Sequence, residues 1–181
     1  CRFSRFDAHM GVANATIRNS TMGHMGINAI GTGILTVENS TIRGGTLINL
    51  RSDYGSTWRG EFIIRNCVFE PSGGRTASAS LIGGSNSGQH DFGYTCYMPE
   101  RITFENLHID DSNHPEDYQG PAIFANFNPD MTDDSYQEQF PYVKTREVIL
   151  RNVSTSSGKS LIISKNPFMF NKVRIEVTDR E

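Results

Sequence analysis

Three polar residues recur at equal spacing near the start of the chain. Asp7, Asn28 and Asn49 follow one another at intervals of 21 residues, and each lies between two apolar residues. Such alternation is typical of a β-strand with one buried face, so stacked strands would place these three side chains in one outward column. His9 and Arg51 stand two positions further along the first and third segments. Carboxylates and amides bind sugar hydroxyls and arginine pairs with uronate or phosphate, so the pattern indicates a sugar-binding surface.

Acidic and aromatic residues in two later segments could extend this surface. We predict sugar contacts from Asn28, Asn49, Arg51, Tyr54, Trp58, His90 and Tyr94, and the candidate catalytic residues are Asp7, His9, Asp53 and Asp91. A glycoside hydrolase needs two carboxyl groups about 5–5.5 or 6.5–9.5 Å apart. In extended geometry Asp7 and Asp53 would lie on the order of 15 Å apart. Binding is therefore favoured over cleavage; a polysaccharide lyase or glycoside hydrolase and a purely structural shaft are the two alternatives.

A short repeated motif predicts the elements that must position these residues. Alternating apolar residues, a polar residue and then asparagine occur in five copies, which end at Asn19, Asn39, Asn66, Asn106 and Asn152. A sixth copy, 173–177, ends in valine. The alternation predicts strands, and asparagine tolerates the left-handed backbone of a turn. We expect the asparagines to stack at buried turns and to share side-chain amide bonds.

A second strand series lies between these copies. It comprises 5–9, 26–30, 47–51, 81–85, 123–127 and 162–166, and a short strand follows each asparagine. The repeat therefore predicts an all-β fold, a right-handed single-stranded parallel β-helix of about six rungs over residues 1–181. The asparagines are 20, 27, 40 and 46 residues apart, and such unevenness is tolerated when extra residues form loops. Two long loops are expected, at 70–100 and 110–145.

The asparagine-ended strands and stacked apolar strands resemble the pectin-lyase-like superfamily of right-handed parallel β-helices, most closely its phage tail-appendage, neck-appendage and prophage-encoded members. The resemblance covers nearly the whole chain and implies that it engages a polysaccharide. It does not supply catalytic residues, because the paired adjacent aspartates that polygalacturonase-type members carry on a central strand are absent. The adjacent pairs here, Asp110-Asp111 and Asp133-Asp134, fall in the predicted loops.

Composition narrows the class of partner. The chain has a formal net charge of −3 and a sequence pI of about 6.0, which argues against nucleic acid as a ligand. No apolar run is long enough for a membrane span. No cysteine pair suggests a metal, and we predict no cofactor, although calcium in the acidic segment 130–134 is an open alternative. Cys1, Cys67 and Cys96 are expected to be buried.

The context of the chain follows from its first residue and from the resemblance. Because the sequence begins at Cys1, we expect it to be part of a longer protein. The expected partners are a polysaccharide and either two further copies in a homotrimer or flanking domains of the same chain. We expect an extracellular, cell-surface or virion location.

Overall fold

The structure, a computed structural model, describes residues 1–9, 11–51, 57–84, 96–125, 142–143, 145–163 and 173–176. These residues form parallel strands and one short 3-10 turn, Ser72–Gly74. The strands are β1 (Arg2–Phe3), β2 (Phe6–Ala8), β3 (Ala13–Arg18), β4 (Thr21–Met22), β5 (Ile27–Ala29), β6 (Gly31–Glu38), β7 (Thr41–Gly44), β8 (Thr46–Leu50), β9 (Trp58–Pro71), β10 (Ser80–Gly83), β11 (Cys96–Tyr97), β12 (Arg101–Ile109), β13 (Ala122–Phe124), β14 (Tyr142–Val143), β15 (Glu147–Thr155) and β16 (Val173–Glu176).

The larger sheet contains the asparagine-ended strands in the predicted register. Its order is β1-β4-β7-β9-β12-β15-β16, and β3 and β6 extend it beside β9. One buried position of the motif is shared by the first five copies: Ile17, Val37, Ile64, Phe104 and Leu150 pair in turn. Leu150 pairs in turn with Ile175 of the sixth copy. The sixth copy, β16, pairs like the others although it lacks the asparagine. The repeat seen in the sequence is therefore a structural repeat.

The second sheet contains the other strand series, in the order β13-β10-β8-β5-β2. Phe6, Ile27, Ile48, Ile82 and Phe124 pair in turn along one inward row. Of the sixth predicted segment, Ile162 forms a single bridge to Ala122, and 164–166 lie outside the described residues. The inward rows of both sheets meet in one core, whose largest fully buried side chains include Trp58, Phe62 and Phe104. This all-β arrangement with parallel sheets is compatible with a β-helix.

The asparagines adopt the predicted backbone conformation but not the predicted burial. Those at the ends of the five copies have φ between 47° and 53°. Four of them are exposed, and Asn152 is half-buried. Asn66, for example, lies between the exposed Arg65 and the buried Cys67, so two consecutive residues face solvent. A left-handed residue interrupts the alternation of a strand, and this interruption turns the asparagine outward. The expected amide bonds join Asn106 to Asn66 at 2.9 Å and Asn152 to Asn106 at 2.8 Å.

Three further expectations need correction. Ile30 follows Asn28 as His9 follows Asp7, so continued alternation would place it on the outward face; it is only 3% exposed, because β5 ends at Ala29. Cys67 is buried as expected, whereas Cys1 is exposed; the side chain of Cys96 is outside the described part. The two long segments are also joined by a small parallel sheet of β11 and β14, which the sequence did not indicate.

Candidate functional site

The predicted polar column is present on the second sheet. Asp7 of β2 pairs with Asn28 of β5, Asn28 pairs with Asn49 of β8, and Asn49 pairs with Gly83 of β10. Neighbouring strands in a sheet lie about 4.8 Å apart, so the column offers polar groups at that interval. All three polar residues are partly exposed. We call Asp7, Asn28, Asn49 and the adjoining Arg51 the polar face.

Hydrogen bonds orient the two amides of the polar face. Asn49 Nδ2 donates to Asn28 Oδ1 at 3.2 Å, and Asn28 Nδ2 donates to the carbonyl of Met25 at 3.2 Å. Gly83, next in the column, has no side chain to cover the Asn49 amide; a Cβ there would lie 2.9 Å from Asn49 Oδ1. The Asn49 amide therefore has a defined orientation, and the residue is partly exposed.

Arginines hold both carboxylate oxygens of Asp7. Arg51 Nη1 lies 3.1 Å from Oδ1, and Arg5 Nε forms an ion pair with Oδ2. The side chains of Asp7 and Arg51 are each 18% exposed. Arg51, the residue after β8, thus reaches across the column to Asp7 of β2, two strands away. Neither oxygen of Asp7 is free of a guanidinium partner, which disfavours this carboxylate as a general acid or base.

The other predicted site residues divide into three groups. His9 is exposed directly after β2, and its ring makes no hydrogen bond to a described residue. Trp58 is fully buried; its ring lies 5.5 Å from that of Phe62 and its indole N–H donates to the carbonyl of Gly33 at 3.0 Å. Trp58 therefore cannot stack on a sugar. Five predicted residues lie outside the described residues: Asp53, Tyr54, His90, Asp91 and Tyr94.

Sequence reasoning missed an alternating column of charges on the larger sheet. Arg18, Glu38, Arg65, Glu105, Arg151 and Glu176, the residues before each turn, pair in this order on adjacent strands. Arg65 lies 2.6 Å from Glu38, and Arg151 lies 3.5 Å from Glu105. The alternation of sign was visible in the sequence. These two ion pairs join adjacent strands, so they favour correct strand register rather than a ligand.

A second missed feature is a hydroxyl and imidazole cluster after the asparagine turns of β12 and β15. His108 Nδ1 lies 3.0 Å from Ser154 Oγ, and its Nε2 lies 3.0 Å from Ser156 Oγ. Ser112 Oγ donates to Asp110 Oδ1 at 2.8 Å, and this bond is the main reason that the pKa of Asp110 is lowered. The signal in the sequence was weak, because the partners are 46 and 48 residues apart.

The segment after β12, expected to begin a long loop, is anchored by a buried carboxylate. Asp111 is 1% exposed and accepts hydrogen bonds from Tyr118 Oη at 2.8 Å, Ser157 N at 2.8 Å and Ser157 Oγ at 2.7 Å. Burial raises the pKa of Asp111, but the bonds from Ser157 and Tyr118 outweigh it and leave the pKa below its ordinary value. Burial and the bond to Asp111 raise the pKa of the Tyr118 phenol.

The described residues contain neither a cluster of metal ligands nor a helix that could span a membrane. No group of three or more His, Cys, Asp or Glu side chains in the described ranges could hold a metal ion, and the acidic segment 130–134 lies outside those ranges. No helix among the same residues has the length and apolar character to cross a membrane.

Comparison with known proteins adds no identification. No protein-family model, no curated protein and no solved structure matches this chain.

Proposed function

We propose that this chain is a right-handed parallel β-helix of about six rungs that binds a polysaccharide through its polar face and does not cleave it. The oriented amides of Asn28 and Asn49, in register and partly exposed, carry the proposal. The resemblance of the asparagine-ended strands to pectin-lyase-like proteins supports both the handedness and the class of ligand. The same resemblance supports an extracellular or virion-borne location.

The polar face suits an extended sugar chain better than a compact small molecule. Its groups follow the stacking direction at intervals of about 4.8 Å, so a polymer lying along the stack would meet one group per strand. Asn49 uses one amide hydrogen for Asn28, which leaves its carbonyl oxygen and second hydrogen for sugar hydroxyls. Because the amides are already oriented, binding costs little side-chain entropy.

Binding without cleavage fits the environment of Asp7. Both of its oxygens are paired with arginines, and His9 is held by no side-chain partner among the described residues. General acid–base catalysis needs a group positioned on the reacting atom. Neither residue is arranged in this way. Asp53 and Asp91, the other members of the predicted catalytic set, remain predictions.

The test is calorimetry of the intact chain with a panel of neutral and acidic polysaccharides. Asn49→Ala should weaken the binding of the preferred polymer about 5- to 30-fold, since one or two hydrogen bonds to sugar hydroxyls are lost. Thr103→Ala, on the larger sheet and also half-buried, is the matched control and should leave affinity unchanged. Equal affinity of the two variants would contradict the proposal. Release of reducing ends or unsaturated products would show that the chain is a polysaccharide-cleaving enzyme. Failure to bind any polymer would support the alternative of a purely structural shaft.

A further inference from the structure

A second concave surface, a cleft with a basic lining, lies next to the short strands that follow the asparagine turns. Its volume is 580 Å³. The walls come from three successive repeats: the turn after β4, the end of β7 and the segment after β9. The lining residues are Gly23, His24, Arg43, Gly45, Ser72, Gly73, Arg75 and Thr76.

The charged residues of this cleft are all basic. The Arg43 guanidinium donates from Nε and Nη2 to the Glu70 carboxylate, which fixes its position. Its remaining N–H groups can donate to another acceptor. Arg75 is exposed and forms no ion pair with any described residue. His24 is exposed on the opposite wall. Among the described residues, the lining thus contains two guanidinium groups and no carboxylate; Glu70 engages one edge of Arg43, and Arg75 has no acidic partner. Guanidinium groups pair with oxyanions, so the lining favours an oxyanion beside Arg75.

The wall that carries Arg75 is held in place by the next repeat. Asn113 Nδ2 donates to the carbonyl of Gly74 at 2.9 Å, and Thr76 Oγ1 donates to Asn113 Oδ1 at 3.0 Å. The backbone N–H of Ala77 donates to the Asn113 carbonyl at 3.1 Å. These three bonds clamp both sides of Arg75. The arginine is therefore presented from an anchored segment, which reduces the entropy cost of binding.

Glycines keep the cleft open to a ligand. Gly45 and Gly73 both line it, and a Cβ added to either would meet no protein atom within 4 Å. A smaller cavity of 80 Å³ shares Gly73 and Arg75 and is lined on its far side by Glu70, Asp110 and Asp111. Those carboxylates would repel a negative group that entered the smaller cavity, so an oxyanion would bind on the side of Arg75 that faces the larger cleft. The arrangement thus fits one oxyanion beside Arg75.

We propose that this cleft is a second binding site, which takes an oxyanion attached to a sugar polymer: the carboxylate of a uronic acid or the phosphate of a phosphodiester-linked glycan. The guanidinium groups of Arg75 and Arg43 pair with the charged oxygens. The Ser72 hydroxyl bonds the neighbouring sugar, and Thr76 Oγ1, whose hydrogen is donated to Asn113, can only accept a hydrogen bond from it. The identity of the polymer rests on the proposed function, whereas the oxyanion requirement rests on the cleft alone.

The experiment compares three probes by calorimetry: an oligogalacturonate, a poly(glycerol phosphate) and neutral dextran. Arg75→Gln should weaken the binding of one or both anionic probes about tenfold, as expected for a lost charge-assisted hydrogen bond. Gly45→Glu, which introduces a negative side chain into open space, should weaken it at least as much. Arg18→Gln removes the same charge from an exposed site on the larger sheet and should have no effect. Which anionic probe binds distinguishes carboxylate from phosphate.

The outcomes separate this proposal from the proposed function. Binding that Asn49→Ala weakens and that neither Arg75→Gln nor Gly45→Glu changes would overturn the oxyanion site and leave the polar face intact. Anion binding that depends on Arg75 but not on Asn49 would support the cleft and contradict the polar face. Failure of both anionic probes to bind the wild-type chain would overturn the cleft, whether or not dextran binds.

Discussion

At the scale of single residues, Asp111 is the charged side chain that is buried among the described residues. It joins the segment after β12 to Ser157, 46 residues later, and to the buried Tyr118. A buried carboxylate is stable only when its oxygens are hydrogen-bonded, and here three donors meet that need. Asp110, its neighbour, is exposed and bonds to the exposed Ser112. Two adjacent aspartates therefore have very different roles.

Replacing Asp111 by alanine should cost about 2–4 kcal/mol of unfolding free energy, because it leaves the donors of Tyr118 and Ser157 without their acceptor. Urea denaturation measures the loss. Asp110→Ala is the matched control, and less than about 1 kcal/mol is expected there because its partners are hydrated. Similar losses in the two variants would show that the buried position of Asp111 has no special importance.

The lowered pKa of Asp111 predicts how stability depends on pH. A carboxyl whose pKa is lower in the folded than in the unfolded chain contributes stability above the unfolded value, near 3.9, and loses it as the pH falls through the folded value. Unfolding free energy should therefore fall as the pH drops below about 4. Asp111→Asn should reduce the slope of this fall. An unchanged dependence of unfolding free energy on pH would show that other carboxylates cause the loss of stability in acid.

At the scale of elements, two glycines, Gly33 of β6 and Gly60 of β9, pair directly with each other. Gly33 has φ of 78° and Gly60 has φ of 146°, and a Cβ on Gly60 would overlap the backbone of Gly33. The Gly33 carbonyl also accepts the indole N–H of Trp58. Close backbone contact and burial of the tryptophan thus depend on the same pair of strands.

Gly60→Ala should destabilise the chain by more than about 3 kcal/mol, since it combines steric overlap with a strained backbone. Gly73→Ala is the comparison, with φ of 62° but open space around the added Cβ, and about 1 kcal/mol is expected. Thermal unfolding with tryptophan fluorescence reports both stability and the environment of Trp58. A loss at Gly60 no greater than at Gly73 would show that the strands can separate at little cost.

The alternating charge column predicts a salt-dependent contribution to stability. Arg65→Glu would place three carboxylates on adjacent strands, at positions 38, 65 and 105. Relative to Arg65→Gln, it should lower the unfolding free energy by about 0.5–1 kcal/mol in dilute buffer. The difference should diminish in 1 M NaCl, where the Debye length is only about 3 Å. Equal stability of both variants in dilute buffer would show that the charge column does not contribute to strand register.

At the scale of the whole molecule, each repeat packs chiefly against its two neighbours, so damage should spread from the site of a mutation. Phe104, fully buried between Ile64 and Leu150 in the larger sheet, is a central position. Phe104→Ala should cost about 3–5 kcal/mol. Hydrogen exchange should accelerate most in β9 and β15, and least in β1 and β2. Uniform acceleration over all strands would indicate a single cooperative unit instead.

The sequence by itself determined the main strands of the two larger sheets, their parallel pairing partners and the conformation of the asparagines; it did not indicate β11 and β14. Alternation of Val37, Ile64 and Phe104 with polar residues, and the left-handed preference of asparagine, are properties of a few adjacent residues, and repetition aligned the copies. The polar column of Asp7, Asn28 and Asn49 followed from the same alignment. In this part of the site, local pattern and stacking were sufficient.

Only the tertiary structure decided the environment of each site residue. Trp58 proved to be buried, Arg51 crosses two strands to Asp7, and Asp111 bonds to a serine in the following repeat. The basic cleft around Arg75 is assembled from three repeats. Such features depend on where strands end, how far long side chains reach and which turns lie against each other. These distances join residues remote in the chain, and the local alternation that predicts strands contains no information about them.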